Sequence, residues 1–181
     1  MEIWLDTSDV NIVTYANGLG FLEGVTTNPT IISLSQISPQ ELIMRLLEVQ
    51  SGLVAVQVLS DHANEMYQQA KILSNLSPRI LIKIPVTQKG IQALYALNQE
   101  GIPTLATAIF ELRQALLAFK AGVKYLAPYL GRISDRGANS IEVISQIQLM
   151  KVNYGFEGKI MGAGIRDLDT AIACTKIGFL Q

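Results

Sequence analysis

The chain has little of several residue types, and each shortage argues against a class of protein. Only 16% of its 181 residues are charged, with 14 Lys and Arg against 15 Asp and Glu, which gives a net charge of −1. A nucleic-acid surface needs a surplus of basic side chains to neutralise phosphates, so no nucleic-acid partner is expected. No run approaches the ~20 apolar residues of a membrane span, so no membrane partner is expected.

Cysteine and histidine are equally scarce. Cys174 is the only cysteine, which excludes an internal disulfide and predicts a reducing, cytoplasmic location. The N-terminus has no basic segment followed by an apolar run, so no signal peptide is expected. His62 is the only histidine, which disfavours a histidine-based metal site and a Ser-His-Asp triad and leaves His62 as a solvated loop or helix residue.

What the chain does contain is a series of short apolar runs rich in β-branched residues. Hydrophobic residues make up 49% of the chain, enough to fill the core of one domain over residues 1–181. The runs begin 19 to 34 residues apart, which is the spacing of βα units. They are continuous rather than alternating, as in parallel strands covered on both faces. The predicted strands are Glu2–Thr7, Phe21–Asn28, Leu53–Leu59, Arg79–Val86, Thr104–Phe110, Tyr125–Leu130 and Lys159–Gly164.

Helical periodicity fills the gaps between these runs. The clearest case is 111–121, where apolar residues recur at the spacing of one helix face and Gly122 follows as a stop. Such an α/β chain can form an open doubly wound sheet or a (β/α)8 TIM barrel. The open sheet predicts a glycine-rich phosphate loop after the first strand, and Asp6–Asp9 is not one. Polar residues near the carboxyl end of almost every strand favour the barrel.

Lys83 is the most unusual of these polar residues, because it interrupts the apolar strand 80–85. An ammonium group in a low-dielectric interior costs several kcal/mol unless it is paired or deprotonated. Burial would lower its pKa, and a neutral amine is a nucleophile toward carbonyl groups. The alternative is a structural lysine that extends to solvent or pairs with a carboxylate.

Other polar side chains occupy corresponding positions on the neighbouring strands. These residues are Asp6, Asn28, Gln57, Thr107 and Tyr129. A barrel brings such groups to one mouth, where they could serve as proton donors and acceptors around an amine. Each also has a structural interpretation: Asp6 could cap a helix near Ser8, Asn28 could form a turn, and Tyr129 could belong to the core.

Two further features are compatible with a bound phosphate. Arg132 follows the sixth predicted strand, although an ion pair with Asp135 is an equal alternative. Gly162-Ala163-Gly164 follows the seventh and is similar to a phosphate-binding turn, but a short glycine pair can also serve chain geometry alone.

Six collinear segments resemble the transaldolase family, in the small branch that contains the fructose-6-phosphate aldolases. The resemblance implies a (β/α)8 barrel with class I aldolase chemistry, a small-molecule sugar phosphate substrate and no metal or organic cofactor. It also implies a ring-shaped homo-oligomer, with a decamer as the candidate state when the full C-terminus is present. The matching segments are Trp4–Thr7, Gly24–Pro29, Ile82–Thr87, Glu100–Ala108, Ala127–Tyr129 and Gly131–Ile133.

The resemblance also implies a role for each matching residue. Lys83 is similar to the lysine that forms a Schiff base with the ketose C2 carbonyl. Asp6 corresponds to a carboxylate that assists proton transfer at the donor hydroxyls. Three residues match the trio that holds the catalytic water, namely Thr107, Gln57 and Tyr129. Four match substrate-binding positions, namely Asn28, Thr26, Arg132 and Gly164.

Two positions favour aldol cleavage over aldehyde transfer. Transaldolases tend to carry Glu and Phe where this chain has Gln57 and Tyr129. A phenol can exchange a proton with the enamine intermediate and release dihydroxyacetone, whereas a phenyl ring cannot. The prediction is therefore reversible cleavage of fructose 6-phosphate, with a pentose-phosphate-pathway transaldolase as the alternative.

The chain departs from the family pattern twice. Gly164 stands where a serine usually lies beside the phosphate, so only a backbone N–H remains there to bind the anion. The resemblance also stops at 179–181, where an eighth strand would begin. We therefore expect a C-terminally incomplete barrel, or one whose gap a neighbour closes. A second alternative is an inactive barrel remnant with a role in assembly.

Overall fold

The computed structural model describes residues 1–178, which form one sheet of seven parallel strands curled into a half-barrel. The strands are ordered along the sheet as they are along the chain, as in a truncated TIM barrel. A doubly wound sheet reverses its strand order at a switch point, so that alternative was wrong. The strands are β1 (Ile3–Asp6), β2 (Leu22–Thr26), β3 (Leu53–Gln57), β4 (Ile80–Pro85), β5 (Thr104–Ile109), β6 (Tyr125–Pro128) and β7 (Lys159–Ile160).

All seven predicted strands are confirmed, with tighter ends. Two boundaries need correction. Tyr129 lies one residue beyond β6, where it forms an isolated bridge with Ala163. The seventh strand stops at Ile160 rather than at Gly164. Residues 179–181, where the resemblance stops and an eighth strand would begin, fall outside the described residues.

Helices follow the strands, and the predicted helix over 111–121 is confirmed as α6 (Leu112–Lys120). Two short helices, α2 (Pro29–Ser33) and α7 (Leu130–Asp135), were not predicted. Asn28 explains the first, because its side-chain oxygen accepts a hydrogen bond from the backbone N–H of Ile31 at 2.9 Å and Pro29 follows it. The helices within residues 1–178 are α1 (Val10–Gly18), α2 (Pro29–Ser33), α3 (Pro39–Val49), α4 (Ala63–Ser74), α5 (Gln88–Gln99), α6 (Leu112–Lys120), α7 (Leu130–Asp135), α8 (Ser140–Tyr154) and α9 (Leu168–Lys176).

Alternation along the strands creates two cores. Ile80, Ile82 and Ile84 of β4 belong to the large core between the sheet and the helices. Leu81 belongs to a second cluster inside the half-barrel, and Lys83, two residues further on, shares that inner face. The inner cluster consists of Ala55, Leu81, Leu105, Tyr125 and Ala127, with Trp4, Leu53, Met161 and Ala163 packed against it. Apolar residues therefore fill the inner face below Lys83.

A carboxylate connects the two edges of the sheet at the amino-terminal end of the strands. Glu2, just before β1, accepts hydrogen bonds from Trp4 Nε1 at 3.1 Å and from the Tyr125 hydroxyl at 3.0 Å, and it forms an ion pair with Lys159 of β7. Burial alone would raise the pKa of Glu2, but the three donors outweigh it and lower that pKa. This end is held together by side chains, opposite the polar mouth.

Across residues 1–178, no helix is both long enough and apolar enough to cross a bilayer.

Candidate active site

Lys83 is buried inside the half-barrel, with 5% of its surface exposed. Its Nζ donates a hydrogen bond to the main-chain carbonyl of Thr27, 2.9 Å away. Burial lowers the pKa of Lys83, and the negative charge of Asp6 opposes that shift only in part. The side chain therefore has the increased neutral fraction that nucleophilic attack on a carbonyl requires.

Asp6 ends β1 beside the end of β2. The two strands pair so that Asp6 and Thr26 are register partners, and the hydroxyl of Thr26 donates to Asp6 Oδ1 at 2.7 Å. The alternative that Asp6 caps the first helix was wrong, since Asp9 caps α1. Asp6 instead presents an exposed carboxylate at the mouth, held by a buried threonine.

Thr107 and Tyr129 form the second polar pair of the site. The Thr107 hydroxyl, on a residue only 1% exposed, donates to the Tyr129 hydroxyl at 3.0 Å. The ring of Phe110 packs edge-on against that of Tyr129, with 5.7 Å between their centroids. Gln57 is half-buried and is the register partner of Lys83 on the adjacent strand. These placements bring both predicted hydroxyls together and put the amide next to the lysine.

Arg132 is exposed on α7, and its guanidinium carbon lies 5.6 Å from the centroid of the Tyr129 ring. The alternative that it pairs with Asp135 was wrong. Arg166 binds Asp135 instead, through two hydrogen bonds of 2.8 Å each, and this contact lowers the pKa of Asp135. Arg132 instead contacts the ring of Tyr129, another residue of the candidate site.

Gly164 lies directly beside the start of α7. Its φ of +68° is in the left-handed region, where a serine would be strained. The same contact restricts Gly131, because a Cβ there would lie 2.6 Å from the Gly164 carbonyl oxygen. The departure from the expected serine is therefore consistent with the local backbone.

Asn28 is a substrate-binding candidate whose amide is already partly used. Its oxygen caps α2, and its amide nitrogen forms no hydrogen bond with any of residues 1–178. His62 is confirmed as a solvated residue: it precedes α4 and its side chain is 71% exposed. Within residues 1–178, no group of three or more His, Cys, Asp or Glu side chains is arranged to hold a metal ion.

Sequence reasoning missed two contributors to this arrangement. One is the carbonyl of Thr27, which is a backbone group and leaves no residue-type signal. The other is Gln114 on α6, whose side chain binds the carbonyl of Ala108, next to Thr107, and that of Val86, just after β4. Its position three residues after Glu111 matches the capping-box spacing, which could have identified it.

A buried lysine with hydroxyl, amide and carboxylate groups at the carboxyl ends of parallel barrel strands is the arrangement of a TIM-barrel enzyme. Comparison with known proteins gives the family. The family model described as Transaldolase/Fructose-6-phosphate aldolase matches residues 3–178. The chain belongs to this enzyme family.

Individual relatives agree with the family match. A probable transaldolase of Coprothermobacter proteolyticus is 39% identical over 98% of this chain and 82% of its own length. A probable transaldolase 2 of Listeria monocytogenes is 37% identical over 93% of this chain and 77% of its own length. A solved mandelate oxidase mutant has a TM-score of 0.62 at 15% identity, over 98% of this chain and 61% of that one, which shows the fold alone.

Proposed function

We propose that this chain is a class I aldolase that reversibly cleaves fructose 6-phosphate to dihydroxyacetone and glyceraldehyde 3-phosphate. The observation that carries the proposal is the buried Lys83, whose hydrogen-bond partner is the neutral Thr27 carbonyl. The carbonyl cannot neutralise an ammonium charge, so the site increases the neutral fraction of the amine. Attack of that amine on the C2 carbonyl, with loss of water, gives an imine.

The polar groups around Lys83 supply the proton transfers. With the imine protonated, Asp6 accepts the proton of the C4 hydroxyl, the C3–C4 bond breaks and its electrons form an enamine. Glyceraldehyde 3-phosphate leaves with the new aldehyde. Thr107, Tyr129 and Gln57 hold the water that exchanges protons with the enamine and then hydrolyses the imine, so that dihydroxyacetone is released.

The remaining site residues are proposed to bind substrate. The amide nitrogen of Asn28 and the Asp6-bound hydroxyl of Thr26 lie at the mouth, where the sugar hydroxyls would enter. Arg132 would bind the phosphate, together with the backbone N–H of Gly164.

Borohydride trapping tests the proposal directly. The full chain is incubated with dihydroxyacetone, reduced with borohydride and analysed by peptide mass spectrometry. We expect one reduced adduct, on Lys83, that is absent in Lys83→Met and present in the surface variant Lys89→Met. Active protein without an adduct on Lys83 would refute the mechanism, and cleavage activity that depends on Lys83 would refute the inactive-remnant alternative.

A transaldolase activity is the second candidate, supported by the names of the relatives. Under it, the enamine on Lys83 waits for an aldose instead of taking a proton. Adding erythrose 4-phosphate should then increase consumption of fructose 6-phosphate sharply. Under the aldolase proposal, consumption proceeds without that acceptor.

The cytoplasmic location and the homo-oligomer stay predictions. Light scattering on the full chain measures its oligomeric state.

A further inference from the structure

A β-bulge interrupts β5 directly beside the candidate site. Ala106 pairs with Leu126 and Ile109 with Pro128, so Thr107 and Ala108 together oppose the single residue Ala127. Ala108 takes up the extra length with a φ of +57°, the only left-handed value of a non-glycine residue in the described chain. Such a conformation is strained for an L residue with a side chain.

The bulge determines where the neighbouring side chains point. Without it, Ile109 would share the inner face with Thr107, because residues two apart lie on the same side of a strand. In the structure Ile109 is fully buried in the outer core, while Thr107 stays inside and reaches Tyr129. One extra residue therefore resolves two conflicting requirements, a hydroxyl inside and an isoleucine outside.

The side chain of Gln114, on α6, forms hydrogen bonds to the backbone of the bulge and of the residues that follow it. Its Oε1 accepts hydrogen bonds from the backbone N–H groups of Phe110 at 2.9 Å and Glu111 at 3.2 Å. Its Nε2 donates to the carbonyls of Ala108 and Val86, both at 3.3 Å. The amide thereby uses two acceptor and two donor positions at once, which a carboxylate cannot do.

The same four contacts join the two strands that carry the chemistry. Val86 follows β4, the strand of Lys83, and its N–H donates to the carbonyl of Thr107 at 2.9 Å. Phe110 packs its ring against Tyr129. Gln114 therefore fixes the backbone that follows Thr107, the segment after β4 that binds it, and the aromatic support of its partner.

We propose that Gln114 is a positioning residue: it keeps the strained bulge at Ala108 in place, and so keeps the Thr107 hydroxyl on the Tyr129 hydroxyl during the reaction. Gln114 acts through that pair and does not touch substrate. This inference rests on the proposed aldolase function.

Kinetics of Gln114 variants test the inference. We expect Gln114→Ala to reduce kcat for fructose 6-phosphate cleavage about 10- to 100-fold, since small misplacements of reacting groups have effects of that size, with KM changed less than about twofold. Gln114→Glu keeps an acceptor but loses both donors, so its kcat should fall comparably. Gln92→Ala, on the exposed surface of α5, is the matched control and should retain full kcat.

Two further measurements separate positioning from general destabilisation. Glycine adopts a positive φ without strain, so Ala108→Gly should restore most of the kcat that Gln114→Ala loses. In a Tyr129→Phe background, Gln114→Ala should change the remaining kcat for cleavage less than about twofold, because the pair it serves is already broken. If Gln114→Ala fails to fold, the kcat of Gln114→Glu and of the double variant Ala108→Gly/Gln114→Ala is compared with the wild type instead.

The outcomes are distinguishable. A wild-type chain that forms no dihydroxyacetone adduct refutes the proposed function, and the inference falls with it. An active wild-type chain overturns the inference alone if Gln114→Ala keeps its kcat, if glycine at 108 gives no rescue, or if the loss is undiminished in the Tyr129→Phe background.

Discussion

Lys83 reaches across the mouth of the half-barrel to the main-chain carbonyl of Thr27, 2.9 Å away, and this carbonyl carries no full charge. Among residues 1–178, no carboxylate oxygen lies within 4.0 Å of the Lys83 Nζ, so the amine forms no salt bridge there. Desolvation is therefore only partly compensated, which explains why burial dominates the lowered pKa and Asp6 merely moderates it. An amine buried in this way should reduce the stability of the fold.

Replacing the lysine should therefore stabilise the protein. We expect Lys83→Met to raise the free energy of unfolding at pH 7 by about 0.5–2 kcal/mol while abolishing adduct formation. Urea denaturation of the full chain measures the change. Lys89→Met, an exposed control on α5, should stay within about 0.5 kcal/mol of the wild type. A destabilised Lys83→Met would show that the amine contributes to the fold.

The difference in unfolding free energy between the wild type and Lys83→Met should depend on pH. The pKa of Lys83 is lowered in the folded chain from its ordinary value of 10.5. Between the folded pKa and 10.5, the unfolded state therefore binds more protons than the folded state. Wild-type stability then rises with pH relative to Lys83→Met, and the gap closes as pH approaches 10.5. Denaturation at a series of pH values up to that point checks this sign. A gap that does not change with pH would contradict it.

The sequence predicted the strands and the lysine because both are local signals. Continuous β-branched runs mark buried parallel strands, and a charge inside one of them, Lys83, is visible without any tertiary information. Polar residues toward the carboxyl ends of these runs, such as Asp6 and Thr107, then predict a shared mouth from topology alone.

What could not be predicted depends on contacts between distant segments. The bulge at Ala108 has no glycine to mark it, and its contact with Gln114 is visible only in the folded chain. The partner of Asp135 is Arg166, 31 residues away, while Arg132 lies only three away. Chain proximity offered Arg132 as one possible partner, and only folding brings the segment after β7 beside α7.

Glu2 should stabilise the amino-terminal end of the half-barrel. We expect Glu2→Gln to lower the free energy of unfolding by about 1–2 kcal/mol near pH 7, because the ion pair with Lys159 and two charge-assisted hydrogen bonds are weakened. The exposed Glu48→Gln is the control. Thermal unfolding measured for both variants gives the comparison.

The effect of Glu2 should disappear in acid. Its folded pKa is lowered from 4.5, so the contribution is present above pH 4.5 and is lost as pH falls through the folded pKa. Wild type and Glu2→Gln should therefore converge only below pH 4.5. Convergence already near pH 6 would mean that another group is responsible.

Tyr129→Phe should change the fate of the enamine on Lys83, from release of dihydroxyacetone toward transfer to an aldose. Removing the hydroxyl that Thr107 contacts at 3.0 Å should slow release of dihydroxyacetone by about 100-fold or more, the usual range for one general acid–base group. Transfer to erythrose 4-phosphate should be retained, since it needs no proton on the enamine. Product analysis with and without that acceptor measures the ratio, and an equal loss of both reactions would contradict the assignment.

Arg132 is expected to recognise the phosphate, and two substrates distinguish this role from support of Tyr129. Its guanidinium carbon lies 5.6 Å from the Tyr129 centroid, so Arg132→Ala removes both a cation for the phosphate and a contact with the ring. Loss of charge-assisted hydrogen bonds should raise KM for fructose 6-phosphate about 10- to 100-fold. Adduct formation with dihydroxyacetone, which has no phosphate, should be unchanged. Arg45→Ala on α3 is the exposed control, since its partner is Glu41 one turn away. A comparable loss with both substrates would mean that Arg132 acts through the Tyr129 ring and that the phosphate is held elsewhere.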